Sequence, residues 1–175
     1  FGLEFLYQQK LYKGFYAVLA YTYVRSEFKD KNEKYVPTSW DSRNIVSLTG
    51  GKRFKKGWEV GFRWLFSGGS PYTPVDFENS RLIQNWNING FAFPDYNLLN
   101  TQREGNFHQL NVRVDKKIFL KKFSMNFYLD IQNLYGHKTK VAPIYLVVTD
   151  SNGAPVVDPI NSNKYLLKKI ENKSG

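Results

Sequence analysis

The sequence predicts an all-β fold, an antiparallel up-and-down transmembrane β-barrel segment. Three observations carry that reading. The apolar residues recur with period two rather than 3.6. The alternating runs are about 10–14 residues long, whereas strands of soluble proteins centre on ~5–6. The connections between them alternate between tight and long, the pattern of a barrel with short turns at one rim and long loops at the other.

Six strands follow in order, at 2–11, 15–28, 43–54, 58–67, 107–119 and 123–135. In the first, Leu3, Phe5 and Tyr7 oppose Glu4 and Gln8. The second puts Phe15, Ala17, Leu19, Tyr21 and Tyr23 on one face, with a less polar opposite face of Tyr16, Val18, Ala20 and Thr22. Val46 and Leu48 alternate with Ser47 and Thr49 in the third. The fourth is the clearest: Trp58, Val60, Phe62, Trp64 and Phe66 against Glu59, Gly61, Arg63, Leu65 and Ser67. Leu110, Val112, Val114 and Ile118 oppose Asn111, Arg113, Asp115 and Lys117 in the fifth. Phe123, Met125, Phe127, Leu129 and Ile131 oppose Ser124, Asn126, Tyr128 and Asp130 in the sixth. Successive strand residues point to opposite faces, so each strand has one apolar side.

The connections at 12–14, 55–57 and 120–122 are tight; those at 29–42, 68–106 and 136–165 are long outer loops. Closing the tight turns predicts pairs that share a face: Leu11 with Phe15, Tyr7 with Leu19, Phe54 with Trp58, Leu48 with Trp64, Arg53 with Glu59, and Arg113 with Asp130. On this reading Trp58, Val60, Phe62, Trp64, Phe66, Leu110, Val112, Val114, Phe127, Leu129 and Ile131 meet lipid. Arg53, Glu59, Arg63, Arg113, Asp115 and Asp130 line the lumen. Trp and Tyr cluster toward the strand ends, as interfacial aromatics do. The apolar faces carry charge only at Lys52 and Lys116, near the tight turns, where a lysine snorkels to headgroups.

Composition excludes several other classes. The chain has 175 residues, enough for one domain, and 25 Lys+Arg against 15 Asp+Glu, a net charge of +10. Its cations sit at turns and ends rather than on a basic helix face, so no nucleic-acid partner is expected. There are no cysteines, hence no disulfide scaffold, thiolate metal site or cysteine catalysis. The longest apolar run, Phe15 to Tyr21, is far shorter than the ~18 residues of a membrane helix. No charged segment precedes an apolar one in the manner of a leader peptide. No nucleophile–base pair or phosphate loop is visible, so no enzyme and no cofactor are expected. His108 and His137 are far apart in sequence, and nothing in the sequence brings them together as a metal site. Asp150 and Asn152 look like part of a calcium loop but lack the downstream Glu. The segment from Ile144 to Val157 reads instead as a hairpin around Asn152-Gly153. In the loop at 68–106, Trp86, Asn87, Phe91 and Tyr96 are the candidates for contact with a ligand.

The run Trp40-Asp41-Ser42-Arg43-Asn44-Ile45-Val46-Ser47-Leu48-Thr49-Gly50-Gly51, followed by Gly57-Trp58-Glu59-Val60-Gly61-Phe62-Arg63 and Ser67-Gly68-Gly69-Ser70-Pro71-Tyr72-Thr73-Pro74, resembles the C-terminal barrel strands of TonB-dependent outer-membrane receptors. Leu110 to Lys117 with Tyr128 to Tyr135 resembles that family's penultimate hairpin. The resemblance covers most of residues 1–135. It implies import of a scarce nutrient across the outer membrane of a Gram-negative bacterium, through a 22-stranded barrel around a plug. It also implies outer-membrane lipid, the remainder of the barrel and plug, and TonB, through N-terminal parts not in this sequence, as partners. The nutrient is unknown. No plug, TonB-engaging segment or aromatic-ended last strand is recognisable, so these residues read as part of a longer chain that continues into one more strand. The lid-carrying starch-utilisation transporters are not resembled. Two alternatives stay open: a small self-contained outer-membrane barrel with an adhesion or structural role, and a soluble all-β binding domain.

Overall fold

The computed structural model describes residues 1–174. Six long strands form one antiparallel sheet in strict chain order: β1 (Gly2–Tyr12), β2 (Phe15–Val24), β3 (Arg43–Arg53), β4 (Trp58–Ser67), β5 (Phe107–Phe119) and β6 (Ser124–Ile131). The sheet does not close, and β1 and β6 are its free edges. Among the described residues no helix is long and apolar enough to cross a membrane, which has no bearing on crossing by strands.

All three tight turns lie at one end. Lys13 and Gly14 both adopt positive φ (48° and 85°), the backbone of a two-residue hairpin turn matched to strand twist. Gly14 is required there twice over: a Cβ would also sit 2.6 Å from the Arg53 carbonyl oxygen of the neighbouring hairpin. Lys55–Gly57 is a tight turn in which Lys56 and Gly57 both take positive φ (61° and 77°), and the Leu120 amide closes the third turn on the Phe123 carbonyl at 2.9 Å.

The expected cross-strand pairs Tyr7–Leu19, Leu48–Trp64, Arg53–Glu59 and Arg113–Asp130 are formed, and the Phe54 amide bonds the Trp58 carbonyl. One pair differs. Leu11 does not face Phe15; a bulge between Gln9 and Tyr12 absorbs a residue, and Tyr12 pairs with Phe15. Two strands are shorter than expected. The second stops at Val24 instead of residue 28, because Ser26 turns inward to the Asp41 carboxylate and residues Glu27–Lys29 pair with Tyr35–Pro37 in a hairpin of their own. The sixth stops at Ile131 instead of 135, because Asn133 takes φ 50° and its side chain bonds His137 through both the amide and the carbonyl.

The long connections are structured at the opposite end. Residues 68–106 carry α1 (Phe77–Ser80) and α2 (Ile83–Asn89), with Gly90 ending α2 at φ 73°. Ile144–Val147 pairs mainly with Leu167–Ile170 rather than across the Asn152-Gly153 turn, although that turn forms and Val156 bonds Val148. The chain has no ordinary core. Apart from Pro71, no apolar side chain of the described residues is buried; the buried positions are polar ones such as Asp41 and Ser80, and glycine.

Candidate functional site

Cross-strand register sorts the side chains onto two faces, because directly paired residues project to the same side. Trp58–Lys116, Val60–Val114, Phe62–Val112, Trp64–Leu110 and Phe66–His108 are paired across β4 and β5. Phe127, Leu129 and Ile131 extend this row on β6, against Lys116, Val114 and Val112. These residues therefore form one continuous apolar face, on which Trp58, Val60, Phe62, Phe127, Leu129 and Ile131 are open to the surroundings.

Arg53, Glu59, Arg63, Arg113, Asp115 and Asp130 occupy the other face. They are organised around two glycines. Gly51 and Gly61 pair directly, and the Tyr16 ring from β2 lies over them: a Cβ at Gly51 would collide with the Tyr16 hydroxyl, and one at Gly61 would come within 3.3 Å of it. The missing side chains let the phenol cross β3 and donate to Glu59 Oε1 at 2.8 Å. The same carboxylate accepts from Arg53 Nε at 2.9 Å. Farther along, Arg113 forks onto both Asp115 oxygens at 2.8 Å, Asn126 donates to Asp115 at 2.9 Å, and the guanidinium lies 4.1 Å above the Tyr128 ring. Two clefts of about 660 and 310 Å³ open on this face, between Tyr16, Glu59, Arg113 and Asp115 and between Thr49, Arg63, Asn111 and Asp130. The arrangement is a track of alternating charge, suited to holding polar groups by hydrogen bonds.

The outer loops are anchored by a second network. Asp41, fully buried, accepts from the Ser26 amide at 2.9 Å and pairs with Arg103, which also donates to the Gly69 carbonyl at 3.0 Å. Burial disfavours the Asp41 carboxylate, but the Ser26 amide and the Arg103 guanidinium outweigh it and hold its pKa below the ordinary carboxylate value. Arg81 pairs with Asp158, and Lys164 with Glu78 at 2.6 Å, which docks the segment around 158–165 on α1 and α2. The Lys164 hydrogen bond lowers the Glu78 pKa.

The four loop candidates are not gathered into one pocket. Trp86 is half-buried in α2; Asn87, on the same helix, is exposed and accepts from the Tyr165 hydroxyl at 3.2 Å; Phe91 and Tyr96 are exposed beyond the helix. None of them lines the cleft beside α2, which Leu82, Ile83, Gln84 and Asn163 form. The two histidines are brought together after all: their rings stack with centroids 3.5 Å apart, and His108 Nδ1 lies 2.9 Å from the Tyr135 hydroxyl. The pairing of β5 with β6 ends at Ile131, and it is the turn at Asn133, with its side chain on the His137 backbone, that brings His137 back to His108. Among the described residues no group of three or more His, Cys, Asp or Glu side chains is disposed to hold a metal ion.

No protein-family model, no curated protein and no solved structure matches this chain.

Proposed function

We propose that these residues form part of the barrel wall and outer loops of a TonB-dependent receptor, which imports a scarce nutrient across the outer membrane of a Gram-negative bacterium. The observation that carries the reading is a six-stranded sheet with a continuous apolar face that none of the described residues covers. A soluble domain has to bury such a face against a second layer; a barrel wall presents it to lipid and keeps its charges on the inner side. The separation of tight turns from long loops supports the same orientation. The free edges of β1 and β6 then pair with further strands of the receptor, because unpaired backbone is not tolerated in hydrocarbon. On this reading the plug, the strands that complete the barrel and the TonB contact belong to the rest of the receptor.

The test is accessibility in cells expressing the intact receptor. A cysteine placed at Asn152, in the outer loops, should react with a membrane-impermeant maleimide on whole cells. One placed at Lys55, in a tight turn, should react only after the outer membrane is permeabilised. Equal labelling of both sites, or recovery of the protein in the soluble fraction without detergent, would overturn the proposal.

A further inference from the structure

Most of the chain's net charge is concentrated at one end of the sheet. The turn end, residues 10–15, 52–59 and 115–123, carries ten cationic side chains and two carboxylates, so it holds eight of the ten net positive charges. Both carboxylates are already engaged, Glu59 by Arg53 and Asp115 by Arg113. Each tight turn contributes a lysine pair: Lys10 and Lys13, Lys55 and Lys56, Lys121 and Lys122. Among the described residues none of these six forms an ion pair with a carboxylate.

Lys52 and Lys116 extend this charge onto the apolar face, and their geometry is informative. Lys116 Nζ lies 4.8 Å above the Trp58 ring and donates to the Lys56 carbonyl at 2.7 Å, so its side chain runs toward the turn and not along the strand. Lys52 Nζ lies 4.2 Å above the Phe15 ring and 5.2 Å from that of Phe54. Ammonium groups held over aromatic rings at the boundary of an apolar face, with free lysines just beyond, match the chemistry of a phosphate-bearing headgroup whose acyl chains lie against that face.

We infer that this lysine and aromatic rim is a binding surface for anionic phospholipid headgroups in the leaflet at the tight-turn end. The inference rests on the barrel reading above. It adds that the rim selects lipids by charge, with the headgroup phosphate seated among Lys52, Lys116 and the lysine pair at 55–56, and the acyl chains on Trp58, Val60 and Phe62. An acidic protein segment is the competing occupant of such a surface. Continuity of the charge with the apolar face favours the lipid, since a peptide needs no such face beneath it.

The test uses the intact receptor in phosphatidylcholine vesicles and exploits two tryptophans on the same face of β4. Trp58 lies at the rim, and Trp64 is six residues, about 20 Å, farther along the strand. Quenching by bromine-labelled phosphatidylglycerol and bromine-labelled phosphatidylcholine is measured, and each tryptophan's share is taken from its Trp→Phe variant. Trp58 should be quenched by the anionic lipid with a preference of roughly fivefold, the weight of about one lysine at a charged surface, and Trp64 with none. The preference should fall as salt rises, and disappear in a Lys55→Gln, Lys56→Gln, Lys116→Gln variant but persist in an outer-loop control, Lys31→Gln, Lys34→Gln, Lys138→Gln. Equal quenching of Trp58 by both lipids, or a preference the rim variant leaves intact, overturns the inference while the barrel reading stands. No quenching of either tryptophan by either lipid overturns both.

Discussion

Replacing Phe62 by arginine puts a guanidinium at the middle of β4 on the apolar face, with Gly50 and Val112 as its cross-strand neighbours. The Phe62 ring lies over Gly50, where a Cβ would approach it to 2.9 Å, so the side chain fills a position made for it. Burying a phenylalanine in an apolar medium is worth about 1.5–3 kcal/mol, and an arginine at the bilayer midplane costs about 2–4 kcal/mol. On the proposed barrel reading Phe62→Arg should together destabilise the inserted protein by about 3.5–7 kcal/mol. Arg63, the next residue, points to the polar face opposite Thr49 and Asn111 and has no carboxylate partner among the described residues. Arg63→Gln should therefore cost under about 1 kcal/mol. The assay is urea titration of the receptor refolded into lipid vesicles, with the folded fraction read from its altered gel mobility before heating. The face assignment fails if the two variants lose equal stability, and it is reversed if Arg63→Gln loses more.

Three further outcomes follow from the bonded networks. Gly51→Ala should displace the Tyr16 ring and cost about 1–3 kcal/mol in the same urea titration, whereas Tyr16→Phe, which loses only the hydrogen bond to Glu59, should cost about 1 kcal/mol. The Asp41 pKa lies below its unfolded value, so its contribution is full above about pH 4 and is lost only as pH falls through the lower folded value; exchange at the Ser26 amide, corrected for intrinsic rate, should stay slow from pH 7 to pH 5, and Asp41→Ala, which removes the acceptor, should abolish that protection. Arg81→Ala removes the partner of a mostly buried Asp158 and should open the segment near residue 158 to protease, while Lys164→Gln, which breaks an exposed pair with Glu78, should change cleavage little.

The sheet was legible in the sequence because two independent constraints agree on it. Alternation fixes which residues share a face, and turn length fixes which residues oppose one another, so Leu48–Trp64 and Arg113–Asp130 followed without coordinates. Legibility fails where a side chain competes with the ladder for backbone groups. Asp41 takes the Ser26 amide out of the second strand, and Asn133 turns the chain onto the His137 backbone, so that the sixth ends at Ile131; neither bond leaves a trace in hydropathy. The bulge before Tyr12 is equally silent, because Leu11 and Tyr12 are both plausible neighbours for Phe15. The Asp41–Arg103 pair joins residues 62 positions apart through two aperiodic loops, so no local pattern announces it.

The alternatives can be weighed against the way this chain distributes its interactions. Its specific bonds, from Tyr16 to Glu59 and from Arg113 to Asp115, lie on the polar face, and its large aromatic surface lies on the side with no internal partner. A soluble all-β domain has the opposite economy, with apolar side chains packed on one another and charges left to water. To fit that reading, a second layer would have to cover Trp58 through Phe66 and Phe127 through Ile131, yet α1 and α2 are tied to residues 158–165 of the outer loops. A self-contained eight-stranded barrel needs two more crossings of about 9–11 residues. Among the described residues the only strands near that role, Ile144–Val147 and Leu167–Ile170, are four residues long and pair with each other instead of with β6. Closing β1 directly on β6 would leave six strands around a lumen that must already hold Tyr16, Arg53, Arg63, Arg113 and Tyr128, a ring smaller than the eight strands whose interior is just wide enough for side chains. On the proposed barrel reading both free edges would pair with strands outside these six, and the polar track between Tyr16 and Asp130 would form one stretch of a wider lumen wall.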